Sequence, residues 1–284
     1  MKTSTSKRLR WNVAIWLAAG LFMTSAAGMA AGPIMPDPKA EARHQPQVEE
    51  TANGIPLVNI TAPSSGGVSR NEYETFNVPD KGAILNNSYT LSKTELAGYV
   101  QGNNNMAERP AKIIVNEVTG AGSTSMDGFL EVAGNRADVV IANPNGITVN
   151  GGGFINTGKA FLTTGKPVYD GEDHLQRFDI TGGDILIEGK GLGGKETGSL
   201  AILSRAVKIN AGIWAKDLHI TTGANSIDAK TLEASAIEGK GGHPAFALDT
   251  AAIGGMYAGR ITLVGTEKGL GVNNSGTWSA EDNL

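Results

Sequence analysis

VVIANPNGITVNGGGFINTGKAFLTTGKP, residues 139–167, reads as three short strands joined by tight corners. Val139, Val140 and Ile141 are β-branched and suit a pleated, buried strand. Asn143-Pro144-Asn145-Gly146 then supplies four turn-formers in a row; Pro144 fixes φ and Gly146 is free to take positive φ. Ile147, Val149, Phe154 and Ile155 alternate with small polar residues, and Gly151-Gly152-Gly153 lets the chain turn again. Phe161 and Leu162 form the third strand. Strands this short, with Asn and Gly at nearly every corner, predict stacked coils of a parallel β-helix.

The whole-chain composition points the same way. In 284 residues there are 39 glycines, about twice average usage, while aromatics make up only 6%. That mix disfavours a helical enzyme and favours a fold rich in turns. Low charge with many Asn, Thr and Ser residues predicts outer sheet faces that are polar but uncharged. Cysteine is absent, so burial and the hydrogen-bond ladder must hold the fold without disulfides, and thiolate sites are excluded.

The string Ala142-Asn143-Pro144-Asn145-Gly146-Ile147, with Asn150-Gly151 and Gly153-Phe154-Ile155-Asn156-Thr157 after it, closely resembles the signature of the two-partner secretion (TPS) domain. That domain stands at the N-terminus of filamentous-haemagglutinin-like adhesins, haemolysins and contact-dependent inhibition proteins of Gram-negative bacteria. A second family element, Asn116-Glu117-Val118-Thr119-Gly120, lies upstream in the expected order. Ile84-Leu85-Asn86-Asn87 matches a third. Gly102-Asn103-Asn104-Asn105-Met106 stands where many members carry an Asn-Pro-Asn-Leu motif, with Asn for Pro and Met for Leu. Many inhibition-type members also carry a Cys pair where this chain has Val149 and Gly152, so Ile147, Val149 and Phe154 must hold that corner by packing.

Residues 1–31 read as an export signal. Lys2, Lys7, Arg8 and Arg10 make a basic start, and residues 13–23 form an apolar core too short to span a membrane. Small residues follow; Ser25-Ala26-Ala27 and Gly28-Met29-Ala30 both fit a cleavage site, the latter preferred, with processing near Ala30. Removal takes away four positive charges and no negative ones, moving the formal balance from −4 to −8. So acidic a chain argues against nucleic acid as a partner.

Residues 32–50, with four prolines and mixed charges, read as a disordered linker. The ordered domain is expected over 51–284, with residues 53–60 capping the open end of the solenoid. Phe178-Asp179-Ile180-Thr181-Gly182, Val207 to Gly212, Leu218 to Gly223 and Ile261 to Gly265 share an apolar-polar-apolar beat and read as coil strands. Residues 224–256 break the beat and read as a hairpin excursion. The stretch around Val272 and Trp278 resembles the first coil of a repeat shaft with no polar cap, so the chain reads as a truncated or fragmentary member.

Catalytic constellations are sparse. His44, His174, His219 and His243 lack metal-ligand spacing. Asp170, Glu172, Asp173 and His174 form an acidic cluster that reads as a cation site or, more simply, a solvated loop. Asp179 and Asp184, flanking Gly182-Gly183, resemble the paired carboxylates of a glycosidase. No cofactor is indicated.

The fold expected is therefore all-β, a right-handed parallel β-helix with an N-terminal β cap and a hairpin excursion. The resemblance implies a non-enzymatic secretion-recognition domain, delivered by the Sec translocon and bound by an outer-membrane transporter with POTRA domains. The implied recognition motif is Asn116, Glu117, Val118, Asn143, Pro144, Asn145 and Gly146, and the product is secreted or displayed on the cell surface. The adhesin, haemolysin and inhibition subtypes stay open, and no receptor is named. A carbohydrate-active β-helix enzyme is the alternative.

Overall fold

The structure, a computed structural model, describes residues 32–106 and 109–283. The export signal and cleavage site expected over residues 1–31 lie outside the described residues.

Each central strand sends alternate side chains to two different apolar cores. In Ala137–Ala142, Ala137, Val139 and Ile141 face the interior of the coil, while Val140 and Ala142 face a second core outside it. Ser199–Ser204 repeats the pattern, with Leu200 and Ile202 inside and Ala201 and Leu203 outside. Side chains alternate across a strand, so a strand apolar at every position is one buried on both faces. The expectation of polar outer faces fails here for that reason.

The interior is walled by parallel sheets. One wall stacks Val68–Phe76, Ile113–Val118, Ala137–Ala142, Thr157–Thr163 and Ser199–Ser204 in parallel, with one register shift between Ala137 and Val139. A second stacks Pro56–Asn59, Ala83–Asn87, Phe129–Gly134, Gly152–Ile155 and Leu192–Gly194. A six-stranded third wall runs from Thr124–Met126 through Ile147–Val149 and Asp184–Ile187 to Ala206–Ile209, Phe246–Thr250 and Gly271–Asn274. Successive strands visit the walls in turn, which makes a parallel β-helix. The long strand Gly212–Thr222 pairs with the second wall through Ile213–Ala215 and with the first through Leu218–Thr222, fusing the two. Among the described residues there is no α-helix, only the 3-10 turns Ala42–His44 and Asn104–Met106.

Two excursions, one of them unforeseen, cover the first wall. Lys166–Tyr169 and Leu175–Ile180 form a hairpin, and Asn225–Asp228 and Ala234–Ala236 extend it into a four-stranded antiparallel sheet. Phe178 and Ile227, both fully buried, close the outer core against Val140, Phe161 and Leu203. Residues 178–182 are therefore part of this cover and not a coil strand. The second excursion is shorter than expected, because Phe246–Thr250 has already returned to the third wall.

Residues 32–50 are not a linker. Ile34–Pro36 pairs antiparallel with Val68–Phe76, and Gln47–Glu50 with Pro56–Asn59. Ile34 and Val48 reach the core, and His44 is 4% exposed. A few buried side chains order the segment despite its prolines, and its Glu49 and Glu50 guard the sheet edge with charge. The capping expected of residues 53–60 thus begins some twenty residues earlier.

Candidate functional site

The two motifs singled out in the sequence sit on successive coils and touch. Glu117 pairs in register with Ala142, the residue before the Asn-Pro-Asn-Gly turn. In that turn Gly146 N–H donates to the Asn143 carbonyl at 3.1 Å, and Asn145 N–H to Asn143 Oδ1 at 2.9 Å. Both side-chain amides then reach back to the corner that follows Val118. Asn143 Nδ2 donates to the Gly122 carbonyl at 2.9 Å and to Thr124 Oγ1 at 3.0 Å, and Asn145 Nδ2 to the Gly120 carbonyl at 2.8 Å. Asn143 is fully buried, whereas Pro144 and Asn145 are exposed. Gly146 has φ +109°, and a Cβ there would stand 3.0 Å from the Asp184 carbonyl oxygen, so the position needs glycine.

The degraded upstream motif has the same geometry. Asn105 N–H donates to Asn103 Oδ1 at 3.0 Å, and the side chains of Asn103 and Asn105 both donate to the Ile60 carbonyl, at 2.9 and 3.1 Å. Met106 fills the core in place of Leu, at 1% exposure. Two asparagines spaced two apart make this clamp, and it forms with or without the proline.

Asn116 faces the interior instead. Its amide donates to the Val140 carbonyl one coil on, at 3.1 Å, while Tyr73 Oη donates to its Oδ1 at 3.0 Å. Asn71, its register partner, reaches the Val115 carbonyl at 3.2 Å in the same way. Below them the column turns apolar through Ile141, Leu162 and Ile202. Val118 is buried in the same core. At the position of the missing Cys pair, Gly152 leaves only 2.9 Å between a Cβ and Val149 Cγ1, so close packing fills that corner.

Glu117 points the other way, outward, into a cluster sequence reasoning missed. Glu72 is its register partner on the neighbouring strand. Arg70 Nη2 lies 2.8 Å from Glu72 Oε1 and 3.5 Å from Glu117 Oε2, the second too long for a hydrogen bond. The Arg70 guanidinium also sits 4.3 Å over the Tyr169 ring. His44 Nδ1 is 3.1 Å from Glu72 Oε1, and Asp173 takes a 2.7 Å ion pair from Arg43. Burial pushes the Glu117 carboxyl up to about 7, with Glu72 adding to the shift and Arg70 opposing it. Burial likewise raises the Tyr169 phenol. A cavity of about 430 Å³ opens beside His44, Arg70 and Asp173.

The remaining candidates come apart. Asp170 spends its carboxylate on the backbone N–H of Glu172 and His174 and on the His174 ring, and those backbone donations hold its carboxyl below the usual range. Asp173 belongs to the Arg43 pair, so the acidic loop is no cation cage. Among the described residues no group of His, Asp and Glu is arranged to hold a metal. Asp179 lies in the covering sheet, paired with Arg177 and the Ser226 hydroxyl, while Asp184 lies in the third wall. They do not form a catalytic pair. His219 bonds Thr221, and His243 bonds Glu267.

Comparison with known proteins gives a consistent picture. The family model described as "TPS secretion domain" matches residues 33–284. A protein described as "Toxin CdiA" from Yersinia pestis is 47% identical over 245 residues, covering 86% of this chain and 7% of its own length. "16S rRNA endonuclease CdiA" from Enterobacter cloacae subsp. cloacae is 48% identical over 229 residues, 80% of this chain and 7% of that protein. Among solved structures, the filamentous hemagglutinin secretion domain superposes with a TM-score of 0.80 at 34% identity, covering 88% of this chain and 84% of that one. The chain thus spans less than a tenth of the curated relatives it matches.

Proposed function

The chain belongs to the TPS secretion domain family, and from that premise we propose that its Asn116–Gly120 and Asn143–Gly146 corner is what an outer-membrane transporter reads. The domain is of the kind found in filamentous-haemagglutinin and CdiA-like exoproteins, a recognition domain for export and not a catalytic one. Its general partner is the outer-membrane transporter of two-partner secretion, and such exoproteins end secreted or at the cell surface. The carbohydrate-active alternative lapses, since Asp179 and Asp184 have separate partners in separate sheets.

In the finer reading, the Sec translocon delivers the chain unfolded after cleavage near Ala30, and POTRA domains of the transporter bind it. The coils then assemble outside one at a time, each templated by the last, which biases movement outward without a nucleotide. Nuclease or toxin activity, the property printed in the relatives' names, is not assigned to these residues.

The observation that supports this reading is the contact of Asn145 with Gly120, which unites two separated motifs in one exposed corner. The test is to produce the chain with a transporter from a matching gene pair and to measure it in the medium. Release that depends on the transporter, falls in Asn145→Ala, and yields a product beginning at residue 31 is expected. Release without the transporter refutes the assignment of partner, and undiminished release of the variant refutes the assignment of the corner.

A further inference from the structure

Four buried polar atoms have no hydrogen-bond partner among the described residues and belong to one cluster: His44 Nε2, Arg70 Nε, Glu117 Oε2 and Tyr169 Oη. They come from four separate segments, namely the turn Ala42–His44, the strands Val68–Phe76 and Ile113–Val118, and the hairpin strand Lys166–Tyr169. Buried polar groups are almost always paired, and clustered exceptions call for an account. Two carboxylates, Glu72 and Glu117, face one arginine from adjacent strands. Arg70 bonds the first well and the second poorly. Like charges so placed disfavour the second ionisation.

We propose that this cluster is a proton-operated latch, closed when Glu117 is protonated, that fastens the turn at 41–45 and the corner at 169–175 onto the first coils. Arg70 and Glu72 from the neighbouring strand and Lys166 and Tyr169 from the hairpin act on Glu117 directly, and behind them stand His44 against Glu72, Asp173 against Arg70 and Arg43 against Asp173. With Glu117 neutral, Arg70 serves Glu72 and Tyr169 undivided. With Glu117 ionised, a second carboxylate lies buried beside Glu72 without a hydrogen bond of its own. The turn and the corner are what can move: His44 ties the turn to Glu72 at 3.1 Å, Arg70 draws the corner in at Asp173 from 3.9 Å, and Arg43 ties turn and corner to each other at 2.7 Å.

The direction follows from linkage. The folded carboxyl titrates above its unfolded counterpart, so its contribution is complete below about pH 4.5 and lost as pH rises through about 7. For export, on the reading given above, folding outside the cell would be firmer in a mildly acidic medium.

The test uses the purified full chain without a transporter, so its failure leaves the export reading intact. Amide protection factors at 41–45 and 169–175 should fall roughly tenfold between about pH 5.5 and about pH 8 in the wild type. In Glu117→Gln the acid-form protection should persist at both pH values. An equal fall in both proteins, or none in the wild type, overturns the proposal. Should the variant not fold, the carboxyl ¹³C shift of Glu117 in the wild type decides; a midpoint near the ordinary glutamate value also overturns it.

Discussion

Asn145 donates its side-chain amide to the Gly120 carbonyl at 2.8 Å, tying the turn of one coil to the corner of the coil before it. Asn143 makes the equivalent bond to Gly122 from full burial. The two are therefore predicted to separate on truncation. Asn143→Ala should cost about 1–3 kcal/mol, because the buried Thr124 hydroxyl loses its partner, and Asn145→Ala less, because water reaches the site of its bond. Urea unfolding of both variants checks this; equal costs would mean burial does not set the difference.

Gly146→Ala should destabilise by about 1–3 kcal/mol, the cost typical of a residue forced into a sparsely populated backbone region. Its φ is +109° and the Asp184 carbonyl blocks the new methyl. Gly122→Ala is the control, with open space around the added carbon and ordinary φ, and should be close to neutral. Thermal midpoints of the pair give the comparison.

Phe178 joins the covering sheet to the first wall, its ring 6.0 Å from that of Phe161. Phe178→Ala should cost roughly 3–5 kcal/mol. Hydrogen exchange should show the loosening concentrated in the strands Leu175–Ile180 and Asn225–Asp228, with the interior coils still protected. Uniform loss would show that cover and coils form one cooperative unit.

Glu267 has the opposite acid response to Glu117. Arg205 donates to both its oxygens, at 2.7 and 2.9 Å, and His243 adds a contact at 2.8 Å. The Arg205 hydrogen bonds hold the Glu267 carboxyl down to about 2. A depressed folded value gives stability that is present above about pH 4.5 and lost as pH falls through about 2. Glu267→Gln should therefore be less stable than wild type at pH 7, with the gap closing in strong acid. Unfolding midpoints at about pH 7 and about pH 2.5 test it; a constant gap would contradict the linkage.

The coil strands and corners were legible because their signals are local. Val139 to Ile141 are β-branched in an unbroken run, and the Asn-Pro-Asn-Gly turn is contiguous. The cover over the first wall was legible only in hindsight, since Phe178-Asp179-Ile180 carries the same beat whether it pairs in parallel or antiparallel. Residues 32–50 misled because composition records many prolines and cannot record that Ile34, His44 and Val48 find partners. Glu117 follows the apolar run Ile113 to Val115, a visible hint, whereas Arg70 and Glu72 lie in a strand already polar at most positions. What joins them is register across some forty-five residues and closure by His44 and Asp173, which no local pattern contains.

The interior column that begins Asn71, Asn116 and continues Ile141, Leu162, Ile202 gives the stack a polarity of its own. A uniform solenoid can slip by one rung and lose little. Here a slip would set the Asn116 amide among Ile and Leu side chains and bring an aliphatic side chain to the Tyr73 hydroxyl. The pair of asparagines thus works as a keyway: it admits one alignment of the coils and rejects its neighbours.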